Sequence, residues 1–229
     1  MDRIDAPYEQ VDLNTIAEIA ISGVKVVETK VYGPVYPRLV KRYTMRFEAD
    51  KIGEEPPEGS EEWEWPKIKD YLEKNLESYP LGFVALPYAM AKTEAVLQGT
   101  TGVANRISIN EIVKSLNIQL GKDQQEITDF TNCFKESLDK LVALKVMPPN
   151  ASYSVEDENT FKLVVDNCFL KDVCEAFMKE KVRKYDGSTV CSIGRMITTY
   201  IELELGPDYD YILDEFANPN CTTRIIKTD

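Results

Sequence analysis

CSIGRMITTYIELELGPDYDYILDEFANPNCTTRIIK, residues 191–227, is the stretch whose reading decides the fold. From Cys191 onward, Ile193, Ile197, Tyr200, Ile201 and Leu205 recur at helical spacing, and Gly206-Pro207 stops the run, so one amphipathic helix is predicted. Tyr209 to Phe216 and Cys221 to Lys227 then read as a strand pair around Ala217-Asn218-Pro219-Asn220. Working outward, Tyr153-Ser154-Val155 and Phe161 to Val165 form an earlier strand pair around Asp157-Glu158-Asn159. Between the pairs, residues 169–184 are helical in pattern through Val173, Phe177 and Val182. Strand pairs that alternate with helices predict an α/β (α+β) class, with helices packed on an antiparallel sheet. One cysteine stands at each junction: Cys168 after the first pair, Cys191 at the helix start, Cys221 at the last strand.

The N-terminal half reads as helical. Leu13, Ile16, Ile19, Ala20, Val24 and Val27 predict a helix over 12–31, and Leu39, Val40, Tyr43 and Phe47 a short second one after Gly33-Pro34. An acidic linker at 48–63 follows, and a helix runs from Pro66 to Tyr79. Residues 81–98 are apolar on most sides, which suits a buried helix or one lining a pocket. Ser108 with Glu111 has the spacing of a capping box, and Ile107 with Ile112 that of a hydrophobic staple, so a helix start is predicted there. Asp123 with Glu126 marks another, whose stripe runs through Phe130, Phe134, Leu138 and Leu141.

Composition excludes several chemistries. The chain of 229 residues has no histidine, which removes Ser-His-Asp and Cys-His catalysis and the commonest metal ligand. Proton transfer must use a shifted Asp, Glu, Lys, Tyr or Cys, and a metal must take thiolate and carboxylate ligands. The net charge of −12 disfavours nucleic acid and anionic membranes, which need a positive patch. Met1-Asp2-Arg3-Ile4-Asp5 lacks the layout of a signal peptide, and the apolar run near Gly82 to Ala91 is interrupted by Pro87, so a cytoplasmic protein is expected. Five cysteines then read as reduced thiols or metal ligands. Gly99-Thr100-Thr101-Gly102 lacks the lysine of a phosphate loop. Asp214 and Glu215 alternate across a strand and cannot serve one site together.

Val164-Val165-Asp166-Asn167-Cys168 closing a strand, Cys191-Ser192-Ile193-Gly194 opening a helix, and Leu213-Asp214-Glu215-Phe216 followed by Cys221 resemble the 4-vinyl reductase domain family. Its relatives are the TRAPP-type tethering subunits and aminothiazoline-carboxylate hydrolases, and the resemblance covers residues 125–227. It implies a domain spanning 64–229 after an N-terminal helical segment at 1–47, a homodimer, and a pocket between helices and sheet for a small hydrophobic or aromatic ligand, tetrapyrrole-like ones included. Phe83, Tyr88, Met90, Phe134, Ile193 and Ile197 are the expected lining, with core packing as the alternative role for the aromatic set. It further implies a zinc site at Cys191, Glu215 and Cys221, with Cys168, Cys174 or water as fourth ligand, because Asn218 stands where another cysteine is expected. The hydrolase branch implies a catalytic cysteine, for which Cys191 at a helix N-terminus is the candidate.

A third reading takes Ile107 to Val165 as a winged helix with the strand pair as wing. Lys135, Lys140 and Lys145 are offset by Asp123, Glu126, Asp129, Glu136 and Asp139, so this version is a protein-interaction module rather than a DNA reader.

Overall fold

The computed structural model describes residues 1–4, 8–9, 11–52, 81–98, 103–120, 129–144, 146–147, 151–166, 168, 170–180, 191–216 and 220–228. The expected linker residues 53–63 and the helix expected from Pro66 to Tyr79 lie outside these. The described chain is α+β.

Five antiparallel strands form one sheet: β1 (Asp2–Arg3), β2 (Ser152–Asp157), β3 (Thr160–Val165), β4 (Tyr209–Glu215) and β5 (Cys221–Lys227). Their spatial order is β1-β2-β3-β5-β4, so the last strand inserts beside β3 and leaves β4 at an edge. The β2–β3 turn is fixed locally, where the Asn159 amide donates to Asp157 Oδ1 at 2.8 Å, as short acidic side chains do in turns. Phe161, Leu163 and Val165 alternate inward along β3, the period of a strand with one buried face. Because β3 also pairs with β5, from Thr160↔Ile226 to Val165↔Cys221, the hairpin is interior to a sheet and is not a free wing.

Seven α-helices are described: α1 (Leu13–Val27), α2 (Val35–Ile52), α3 (Leu81–Gln98), α4 (Val103–Leu120), α5 (Phe130–Ala143), α6 (Lys171–Lys179) and α7 (Ser192–Leu205). A π-helical turn, Glu28–Tyr32, joins α1 to α2. Helix α2 continues past Phe47 to Ile52, into the first residues of the expected linker. Helices α5 and α7 lie side by side, and α7 rests on β4 and β5. Phe134 of α5 stacks on Phe161 of β3, with centroids 4.3 Å apart. Helix α4 packs on α7 and α1 on α4, while α2 packs on α3. One buried apolar cluster runs from Ile16 and Ile19 of α1 through Phe134 and Phe161 to Ile197 and Ile225.

One predicted helix start is corrected. Ser108 and Glu111 lie inside α4, which begins at Val103. Ser108 is buried and its hydroxyl reaches Met90 Sδ of α3 at 3.6 Å, so a tertiary contact takes the side chain that the local pattern assigns to capping. The start expected at Asp123 with Glu126 lies outside the described residues; α5 as described begins at Phe130, where extended Asp129 caps it by accepting from the Asn132 amide at 2.9 Å. Strand β1 was not expected from sequence. Its two residues pair with Tyr153 and Ser152.

Candidate functional site

Four of the five cysteines converge. Cys168 follows β3, Cys174 lies on α6, Cys191 caps α7 and Cys221 opens β5. All four line one cavity of about 20 Å³, which leaves room for roughly one water molecule. Leu163, Val165, Leu170, Ile193, Leu213 and Phe216 make most of the remaining wall, so the lining is almost wholly apolar. Strand order creates this site: inserting β5 next to β3 sets Cys221 opposite Val165, just before the turn that carries Cys168.

Cys191 is the N-cap of α7, as the sequence indicates. Its backbone is extended and its sulfur accepts the Gly194 amide at 3.3 Å, satisfying one donor of the first turn. The Thr223 hydroxyl donates to the same sulfur at 3.7 Å. Burial pushes the Cys191 thiol up, and the Gly194 and Thr223 donors, which favour thiolate, only partly offset it. Cys168 is raised as well, first by the hydrogen bond it shares with Cys221 and then by burial. These are neutral thiols at pH 7, the opposite of an activated nucleophile.

The expected site residues separate into two groups. Cys191, Cys221 and Ile193 meet at the cavity, with Cys168 and Cys174. Glu215 does not line it: it is exposed on β4 and accepts from the Thr222 hydroxyl at 3.1 Å. Among the described residues no group of three or more Cys, Asp or Glu side chains is arranged to hold a metal ion. Tyr88, Met90, Phe134 and Ile197 are buried in the core away from the cavity. Tyr88 stacks on Phe177 and donates to Glu180 Oε1 at 2.6 Å, tying α3 to the end of α6. Phe83 lies in α3, and its side chain falls outside the description.

A second polar cluster, whose residues entered the sequence reading only as part of a charge balance, lies inside the core. Lys140 is 0% exposed and Glu136 7% exposed. Their side chains meet at 2.8 Å inside the core. Lys140 Nζ also donates to Asn117 Oδ1 at 2.9 Å and to the Tyr200 hydroxyl at 3.3 Å, while Tyr200 donates to Glu136 Oε1 at 2.6 Å. The Tyr8 hydroxyl reaches the same carboxylate oxygen at 3.4 Å and so anchors the N-terminal segment to α5. Lys140 Nζ stands 5.0 Å from the Tyr200 ring centroid, within cation–π range. The i, i+4 spacing of Glu136 and Lys140 was visible in the sequence, but that spacing is ordinary on solvated helices and carried no sign of burial.

Among the described residues no helix is long and apolar enough to cross a membrane. Comparison with protein-family models, curated proteins and solved structures finds no match for this chain.

Proposed function

We propose that this chain is a small-molecule-binding protein of the class the 4-vinyl reductase resemblance implies, with its site at the cysteine-lined cavity beneath α7. The observation that carries the reading is the convergence of four thiols from four separate elements on one apolar concavity. The neutral state of Cys168 and Cys191 favours binding over nucleophilic catalysis. A cavity of about 20 Å³ holds one water, so an aromatic ligand enters by displacing wall side chains. Leu213 lies on the edge strand β4 and Phe216 just past its end, both part-buried in the wall. Zinc is left out of this proposal: Glu215 does not line the cavity, and among the described residues no group of three or more Cys, Asp or Glu side chains is arranged to hold a metal ion.

Native mass spectrometry of the protein from its own source, with metal analysis of the same sample, tests this. The expected result is a co-purified small organic mass that is absent from Cys174→Phe, a variant that fills the cavity from its part-exposed rim. An empty, metal-free wild-type protein overturns the proposal and leaves the interaction module. Stoichiometric zinc that is lost in both Cys191→Ser and Cys221→Ser replaces it with a thiolate metal site.

A further inference from the structure

Cys168 and Cys221 are far apart in sequence and in contact in space. The β3–β5 ladder ends with Val165 opposite Cys221, and Cys168, three residues past Val165, lines the same small cavity as Cys221. The turn is held on its far side, where the Lys171 amide donates to the Cys168 carbonyl at 2.9 Å. All five cysteines are unpaired by disulfides. Of the other thiols at the cavity, Cys191 is engaged as the cap of α7 through Gly194 and Thr223, so drawing it into a bond uncaps that helix. Cys174 is carried by α6.

We propose that Cys168 and Cys221 are a redox pair, which a low-molecular-weight disulfide oxidises to an intramolecular bond stapling the end of β3 to the start of β5. Cys168 is the thiol the reagent can reach, being part-exposed where Cys221 is buried, and because its thiol is raised the first step is slow and needs alkali: it loses its proton, attacks one sulfur of the reagent RSSR, and releases RS⁻, leaving Cys168–S–S–R. Cys221 then loses its proton and attacks the Cys168 sulfur, releasing the second RS⁻. Two protein S–H bonds are lost and one S–S bond forms, while the reagent takes up two electrons and, with the two protons, becomes two RSH. The bond closes a loop of about 50 residues, which removes entropy from the unfolded chain and raises Tm by about 10 °C. It also withdraws two of the four sulfurs from the cavity wall. The inference stands whether or not a ligand occupies the cavity.

The test is incubation of the full chain with oxidised glutathione at mildly alkaline pH, then alkylation under denaturing conditions, peptide mapping and thermal melts. The expected result is loss of two hydrogen atoms per chain, a cross-linked peptide joining Cys168 to Cys221, and the rise in Tm. Cys174→Ser and Cys191→Ser retain the cross-link. Cys221→Ser abolishes it, as does the part-exposed Cys168→Ser should buried Cys221 not tolerate change. A cross-link through Cys174 or Cys191, a glutathione adduct that goes no further, or no reaction each overturns the proposal.

Discussion

Replacing Lys140 by Met removes the cation that a buried carboxylate depends on. At 2.8 Å the Glu136–Lys140 attraction amounts to about 6 kcal/mol at an effective dielectric near 20. The same substitution also ends the cost of burying the ammonium, and the Tyr200 and Tyr8 hydroxyls continue to donate to the carboxylate. The expected loss is therefore about 3–5 kcal/mol, the range for breaking a buried pair from one side. Changing both residues, Glu136→Leu with Lys140→Met, removes the stranded charge. What remains is the lost partner of Tyr200, about 1–3 kcal/mol, partly offset by new apolar contact. Urea unfolding followed by circular dichroism measures both. The double variant unfolds at a higher midpoint than Lys140→Met, with an unchanged slope. A single variant within about 1 kcal/mol of wild type, or a double variant less stable than the single, refutes the reasoning.

At Gly194 an added Cβ meets Tyr211 Cδ2 at 2.9 Å and Cγ at 3.0 Å, the body of a ring rather than a flexible tip, where α7 crosses β4. Gly194→Ala is expected to lower stability by about 1–3 kcal/mol, and an unchanged Tm shows that the ring yields freely. Stability is also expected to fall in alkali. Burial pushes the Cys133 thiol from 9.0 up to about 12, so between these values the unfolded chain has released a proton that the folded chain still holds. This stabilising difference is intact below pH 9 and lost as pH rises toward 12, at up to about 1.4 kcal/mol per pH unit for this thiol. Melts from pH 7 to 11 check the direction, and a flat profile above pH 9 contradicts it.

What the sequence made legible is what neighbours along the chain decide. The alternation of Phe161, Leu163 and Val165 reports a one-sided strand, and Cys191 before Ser192-Ile193-Gly194 reports a helix cap, because both signals act over a few residues. Ser108 and Glu111 carry an equally local signal, yet the helix runs through them. Met90 receives the Ser108 hydroxyl, and Gly23 of α1 lets that side chain come close, neither of which spacing reveals. The thiol cavity was half legible: three cysteines mark element junctions, but their meeting depends on β5 lying between β3 and β4, a choice of strand order. Glu215 does not join Cys191 and Cys221 at the cavity wall for the same reason, since its place is across from Thr222, whose hydroxyl donates to it. The Glu136–Lys140 pair was missed because amphipathic reasoning assigns charge to water, whereas α5 is enclosed by α7 and the N-terminal segment.

Helix α7 serves both unusual features of this chain: Cys191 caps its first turn at the thiol cavity, and Tyr200 holds the buried carboxylate. Nine positions along a helix separate them by about 13 Å, and no side chain described at one is shared with the other. Their energies are therefore expected to add. Cys191→Ala removes a weak sulfur acceptor from the cap, about 0.5 kcal/mol, at the low end for cap removal. Tyr200→Phe takes one donor from Glu136 and leaves Lys140 to neutralise it, about 1–3 kcal/mol. If α7 merely spans the two sites, the double variant loses the sum within about 0.5 kcal/mol, whereas a larger discrepancy in a double-mutant cycle shows that the helix shifts as a unit and transmits a change at the thiols to the charge pair.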